Sequence, residues 1–133
     1  MINVLNLARQ YAEETGGQYT DYDHTKAVIV VPLPGGRFQT ILAIARKGAT
    51  SGKELAIFSS KVCELDSSIN LRELLEQNLS FDYCKFLIED NFVKVEASCV
   101  SSTANEDQVK EMIMEVAMVA DQMELKFTGL DVH

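Results

Sequence analysis

The sequence predicts an α+β fold in which three helices pack against an antiparallel sheet of about five strands. Several apolar segments are separated by tight-turn residues, as in the hairpins of antiparallel sheets. Other segments repeat apolar residues at spacings of three and four, as amphipathic helices do. The chain has 133 residues, of which 47% are hydrophobic. That length predicts a single domain over residues 1–133, with the element order α-β-β-β-α-β-β-α.

A helix and a short extended segment are predicted at the start of the chain. Within residues 2–15, Leu5, Ala8, Tyr11 and Ala12 share one side of a helix. Gly16 and Gly17 follow, and glycine readily adopts the left-handed conformation in which helices end. A short extended segment is then expected over residues 19–22.

Three long strands are predicted next. Residues 27–33 are almost wholly apolar and rich in β-branched side chains, which predicts a strand that is covered on both faces. Residues 34–36 are Pro-Gly-Gly, a strong turn signal, so residues 38–46 are expected to return as the second strand of a hairpin. A polar loop at residues 48–53 leads to a third strand at residues 55–63.

A short helix and a second hairpin are predicted after these strands. Asn70 and Glu73 have the spacing of a capping box, which marks a helix start. Residues 83–89 and 92–100 are expected to pair as antiparallel strands. The Asp-Asn dipeptide at residues 90–91 supplies the turn between them, and the second strand alternates apolar and polar residues.

The last predicted helix spans residues 105–127. Thr103 and Glu106 form a second capping-box pattern at its start, and Gly129 is expected to end it. Its apolar residues recur at helical spacing and form one broad stripe that should face the core. These residues are Val109, Met112, Ile113, Val116, Val119, Ala120, Met123 and Phe127. Val116 lies at the centre of the stripe and is expected to be buried beneath the sheet.

The same helix carries a second apolar strip on its opposite side. Met114, Met118 and Leu125 fall there, where a helix packed on a single core should be polar. We therefore interpret these three residues as a protein-contact surface, because flexible methionine side chains adapt to varied partners. The expected polar rim of this strip consists of Lys110, Glu111, Asp121 and Gln122.

Composition restricts the compartment and the partners. Twelve basic and twenty acidic residues give a net charge of −8. This charge repels phosphate backbones and anionic membranes, so neither nucleic acid nor membrane is expected as a partner. Three cysteines do not form a disulfide framework, and neither a secretory signal nor an apolar run of about 20 residues is evident. We expect a cytoplasmic protein.

No metal or cofactor site is predicted. The sequence has no Cys-x-x-Cys or His-x-x-x-His pair with which to bind zinc. His24 stands beside Asp21 and Asp23, which we interpret as a solvated loop. Residues 48–53 resemble a phosphate-binding loop, but the spacing is one residue short and the segment leads into a strand.

Catalytic residues are not predicted either. The sequence contains no Gly-x-Ser-x-Gly motif of serine hydrolases. Cys84 and Cys99 fall within strands, where a buried and unreactive thiol is the usual state. Because no set of acid, base and nucleophile can be assembled, an enzyme is the weakest of the functional hypotheses.

The order of elements resembles the type III secretion chaperone-like fold and the YbjN family that shares it. The resemblance is clearest in Leu-Leu-Glu-Gln-Asn at residues 74–78, in Lys-Phe-Leu-Ile-Glu-Asp-Asn-Phe-Val-Lys-Val at residues 85–95, and in the long apolar helix that follows. It points to an uncharacterised bacterial branch of the family, cyanobacterial in character. The resemblance implies a small acidic protein, often dimeric, that binds other polypeptides and has no catalytic residues. Fold alone does not transfer the secretion role.

Two functional hypotheses stand ahead of an enzyme. The first is a non-enzymatic interaction module with chaperone-like or assembly-factor character, which forms a homodimer and binds a protein client. The second is a regulatory domain that binds a small apolar ligand between the sheet and the helices. An open apolar surface would favour the first, whereas a large enclosed pocket would favour the second.

Overall fold

The computed structural model describes residues 3–128 and has the predicted α+β architecture. The elements are α1 (Val4–Glu14), β1 (Gln18–Asp23), β2 (Lys26–Leu33), β3 (Arg37–Lys47), β4 (Glu54–Glu64), α2 (Leu71–Gln77), β5 (Cys84–Glu89), β6 (Phe92–Val100) and α3 (Glu106–Thr128). Short 3₁₀ turns lie at Asn78–Ser80 and Ser101–Thr103. The strands form one antiparallel sheet in the order β1-β2-β3-β4-β6-β5. It has six strands rather than about five, because the short segment expected near residue 20 pairs with β2 as a further strand.

The hydrophobic core lies between one face of this sheet and the helices. Along β2, Ile29, Val31 and Leu33 point into the core, whereas Val28 and Val30 are half-buried on the other face. The prediction that this strand is covered on both faces is therefore wrong. No helix within residues 3–128 packs over the second face, although its side chains are as apolar as those of a buried strand.

Helix α3 has the predicted phase. Val116 is fully buried, and α3 packs across β3, β4 and β6. Its start differs from the prediction, since Asn105 Oδ1 accepts the first-turn hydrogen bond from the Gln108 N–H at 2.9 Å. Thr103 Oγ1 instead donates to the Val100 carbonyl, so the predicted Thr103 cap is wrong. Gly129 lies outside the described residues.

Short sequence motifs account for the start of α2, the β5–β6 turn and the turn after α1. Asn70 Oδ1 accepts from the Glu73 N–H at 3.1 Å and caps α2 as predicted. Asp90 and Asn91 both have positive φ, 52° and 64°, as a two-residue type I′ hairpin requires. After α1 the chain turns so closely over the sheet that a Cβ on Gly17 would lie 2.1 Å from the Val30 carbonyl oxygen. Only glycine fits this position.

An ion pair joins the start of β3 to the end of α3. Arg37 Nε donates to both carboxylate oxygens of Asp121, at 3.2 and 2.9 Å. Asp121 is buried, so its predicted place on the polar rim of the methionine strip is wrong. A carboxylate that leaves water in this way needs a charged partner, and Arg37 supplies it.

Candidate interaction surfaces

The side chains that could bind a metal or take part in catalysis are either far apart or hydrogen-bonded to their neighbours. Within residues 3–128 no three His, Cys, Asp or Glu side chains converge as metal ligands would. Asp23 Oδ1 accepts hydrogen bonds from the Thr25 hydroxyl and N–H at 2.8 and 2.7 Å, which lowers the pKa of Asp23 and closes the β1–β2 turn. Across the same residues, the helices are too short or too polar to cross a membrane.

The three cysteine thiols are buried or half-buried, which disfavours their ionisation. Burial raises the pKa of Cys63, of Cys84 and of Cys99. At Cys84 the nearby Glu115 carboxylate raises the thiol pKa further. A thiol must ionise to act as a nucleophile, so these side chains are poor candidates for covalent catalysis at neutral pH.

A polar cleft of about 630 Å³ lies between the start of α1 and one end of the sheet. Its lining includes His24 and the charged residues Arg9, Asp21, Asp23 and Glu54. The cleft is half open to solvent, and its charged walls do not suit an apolar ligand. It is therefore unlike the enclosed apolar pocket that the ligand-binding hypothesis requires.

The predicted methionine strip is only partly a surface. Met118 is 44% exposed, whereas Met114 and Leu125 are half-buried and Met114 packs against the core. Met114 and Met118 line a shallow groove of about 610 Å³ between α1, α3 and residues 82–83, and Leu125 is not part of its lining. The structure thus separates the three residues, and their contact with another chain stays a prediction.

A charged side chain is expected to destabilise the fold more at Met114 than at Met118. Met118→Glu should change the free energy of unfolding by no more than about 0.5 kcal/mol, as at other surface positions. Met114→Lys should cost about 1–2 kcal/mol, because it removes apolar packing against the core. Urea denaturation of the two variants measures the difference, and equal costs would contradict these placements. If Met118→Glu also keeps full self-association by light scattering and full client recovery in a pull-down, the strip is ordinary surface.

Sequence reasoning missed a more exposed apolar surface, which lies on α2 and on the 3₁₀ turn that follows it. Leu71, Leu75 and Leu79 project at four-residue spacing, and Leu75 and Leu79 are 68% and 91% exposed. Ile88, on the neighbouring strand β5, is also exposed. We call these four residues the leucine surface. The spacing is visible in the sequence, but so short a helix does not reveal which of its leucines face the core; Leu74 does.

Side chains protect the sheet edge beside the leucine surface. Asn78 Oδ1 accepts from the Phe86 N–H at 2.8 Å, and Glu115 Oε1 accepts from the Cys84 N–H at 2.7 Å. Both N–H groups point away from β6, where an added strand would otherwise bind them. Contacts at the leucine surface are therefore expected to be made by side chains rather than by strand addition.

The second apolar surface is the uncovered face of the sheet, which we call the open sheet face. Its apolar centre is formed by side chains from β2, β3 and β4, namely the half-buried Val28, Val30, Leu42, Ile44 and Leu55 and the buried Ile57. Val28 pairs with Leu42 and Ile44 pairs with Ile57, so the apolar side chains are contiguous across the strands. Contiguous apolar surface of this kind commonly marks an interaction site.

Comparison with known proteins assigns no family. No protein-family model matches the chain, and a search of curated proteins finds no match either. The YbjN-like resemblance therefore stays a prediction, and the functional argument depends on the two surfaces described above.

Proposed function

We propose that this protein is a non-enzymatic interaction module of chaperone-like or assembly-factor character that works as a homodimer. The observation that carries the proposal is the leucine surface, where Leu79 is 91% exposed. Isolated exposed leucines are common, but four large aliphatic side chains on α2, on the 3₁₀ turn that follows it and on strand β5 are costly to leave in water. The net charge of −8 and the three free cysteines support a cytoplasmic location.

A second copy of the chain is the occupant that best fits the leucine surface. Arg72 and Glu76 flank the leucines on α2 and form an exposed ion pair with a distance of 2.8 Å between Nε and Oε1. If two α2 helices pack antiparallel about a twofold axis, Arg72 of each copy approaches Glu76 of the other. The leucines would then meet at the centre of the contact with charged residues at its rim, which is the usual organisation of an interface.

Dimerisation is tested by measuring the mass in solution of a variant that has charged residues in the leucine surface. Wild-type protein at micromolar concentration should have twice the 14.8 kDa chain mass by light scattering. Leu75→Glu combined with Leu79→Glu should have the single-chain mass, because four carboxylates would be desolvated at the contact. Both side chains are exposed in one chain, so circular dichroism should still report a folded protein.

A matched control adds the same charge elsewhere. Ala49→Glu with Thr50→Glu places two carboxylates on the exposed β3–β4 loop and should keep the mass of the wild type. A wild-type protein that is monomeric, or a leucine variant that is still dimeric, would count against dimerisation through this surface.

A further inference from the structure

Two lysines face each other at one end of the open sheet face. Lys61 on β4 and Lys94 on β6 are direct cross-strand partners. Like charges in directly opposed positions destabilise a sheet, so this pairing departs from what stability alone would favour. Such departures often mark a site that is used for something other than folding.

The two ammonium groups have different neighbours. Lys94 Nζ lies 2.6 Å from Glu89 Oε1 and is largely neutralised. Lys61 Nζ lies 4.3 Å from the centre of the Phe92 ring and, within residues 3–128, forms no ion pair. Lys61 is exposed and therefore carries the charge that remains available to a partner.

The lysine pair borders a polar and apolar concavity of about 300 Å³. Leu42 supplies its apolar wall, and Thr40 and Ser59 add hydroxyl-bearing residues between that wall and the lysines. Leu42 continues into the apolar centre of the open sheet face through its pairing with Val28. A ligand lying here could bury apolar groups and place an anionic group at the lysines.

Charge is distributed unevenly between this face and the rest of the chain. By strand register the open sheet face carries five of the twelve basic residues and four of the twenty acidic ones. The basic residues are Lys26, Arg46, Lys61, Lys85 and Lys94, and the acidic ones are Asp23, Glu64, Glu89 and Glu96. A face that is slightly positive on a chain of −8 favours an acidic partner over a basic one.

We propose that the open sheet face binds an acidic amphipathic segment of a client protein. The apolar side chains of the segment would lie on the β2–β4 centre, and a carboxylate at its end or edge would pair with Lys61. This inference rests on the proposed function as an interaction module, and it names the class of client. A polypeptide fits better than a small molecule because the apolar centre of the open sheet face extends across three strands instead of lining one small pocket.

Two labelled peptides test the charge preference. One is an amphipathic peptide with a leucine-rich face flanked by glutamates, and the other has lysine at every glutamate position. Fluorescence polarisation should give a Kd about tenfold lower for the glutamate peptide, since the lysine peptide would bring like charges together. Equal affinity for both peptides, or binding of neither, would overturn the proposal.

Protein variants locate the binding on the open sheet face. Lys61→Glu should raise the Kd of the glutamate peptide about tenfold by replacing attraction with repulsion. This variant should fold, because the new carboxylate would stand opposite Lys94. Lys53→Glu makes the same change of charge on the β3–β4 loop, and its Kd should stay within about twofold of wild type because screening weakens distant charges.

Failure of the client proposal can be distinguished from failure of the dimer proposal. Lys61→Glu should leave the mass by light scattering unchanged, because it lies outside the leucine surface. If this variant instead has the single-chain mass, the open sheet face joins two copies, and the client proposal is overturned. If instead the leucine variant stays dimeric while Lys61→Glu loses peptide binding, the proposed dimer contact fails and the client surface stands.

Discussion

Val116→Asp should lower the free energy of unfolding by about 3–5 kcal/mol. Val116 is fully buried on α3, the helix that packs across the three central strands. An aspartate there would either lose its hydration or force α3 away from the sheet, and either outcome costs more than the loss of the two valine methyl groups. Urea denaturation followed by circular dichroism measures the change.

The matched control lies two residues along the same helix. Met118→Asp introduces the same carboxylate at a position that is 44% exposed, so its cost should stay below about 1 kcal/mol. Helix propensity falls similarly in both variants, and the difference between them therefore reports burial. If the two variants unfold at the same urea concentration, α3 does not have the orientation described here.

The phase of α3 could be predicted from the sequence because its length makes the periodicity unambiguous. Over 23 residues, a helix repeats its apolar stripe enough times for a single side to emerge, and Val116 falls at its centre. The turn at Asp90 and Asn91 was equally predictable, since two residues with positive φ need side chains that tolerate that conformation. Both features depend on residues that are neighbours in the chain.

The open sheet face could not be predicted in the same way. Val28 and Val30 are as apolar as Ile29 and Val31, so the pattern of β2 indicates two covered faces. Coverage depends on where the helices pack, and that is decided by residues far away in the sequence. The Arg37–Asp121 pair illustrates the same limit, because its members lie 84 positions apart.

The leucine surface was missed for a different reason. Leu71, Leu74 and Leu75 lie within a helix of seven residues, which makes two turns at most. Two turns fit more than one orientation, and only the packing of Leu74 against the core determines that Leu75 is exposed. The exposed residues are consequently defined by tertiary structure rather than by the pattern of the helix itself.

Glu115→Ala should lower the free energy of unfolding by about 2–3 kcal/mol, because hydrogen bonds to a charged group are stronger than those between neutral groups. The carboxylate on α3 accepts hydrogen bonds from three consecutive N–H groups, those of Asp82, Tyr83 and Cys84, at 2.9, 2.8 and 2.7 Å. It thereby ties the start of β5 to α3. Glu111→Ala is the control. Within the described residues, Glu111 accepts a hydrogen bond only from the exposed Tyr83 hydroxyl, so its replacement should change the free energy of unfolding little.

Acid should remove the contribution of Glu115. Burial raises the pKa of its carboxyl group, but the three backbone N–H donors outweigh burial and hold that pKa below the ordinary value of 4.5. Because the folded pKa lies below the unfolded one, the stabilisation is complete above pH 4.5 and disappears as the pH falls through the folded pKa. The other carboxylates with lowered pKa destabilise the protein in acid too, so the informative quantity is the difference between wild type and Glu115→Gln. Urea unfolding from about pH 7 to pH 3 should show that difference shrinking. A difference that stays constant over this range would mean that the charge of Glu115 does not stabilise the fold.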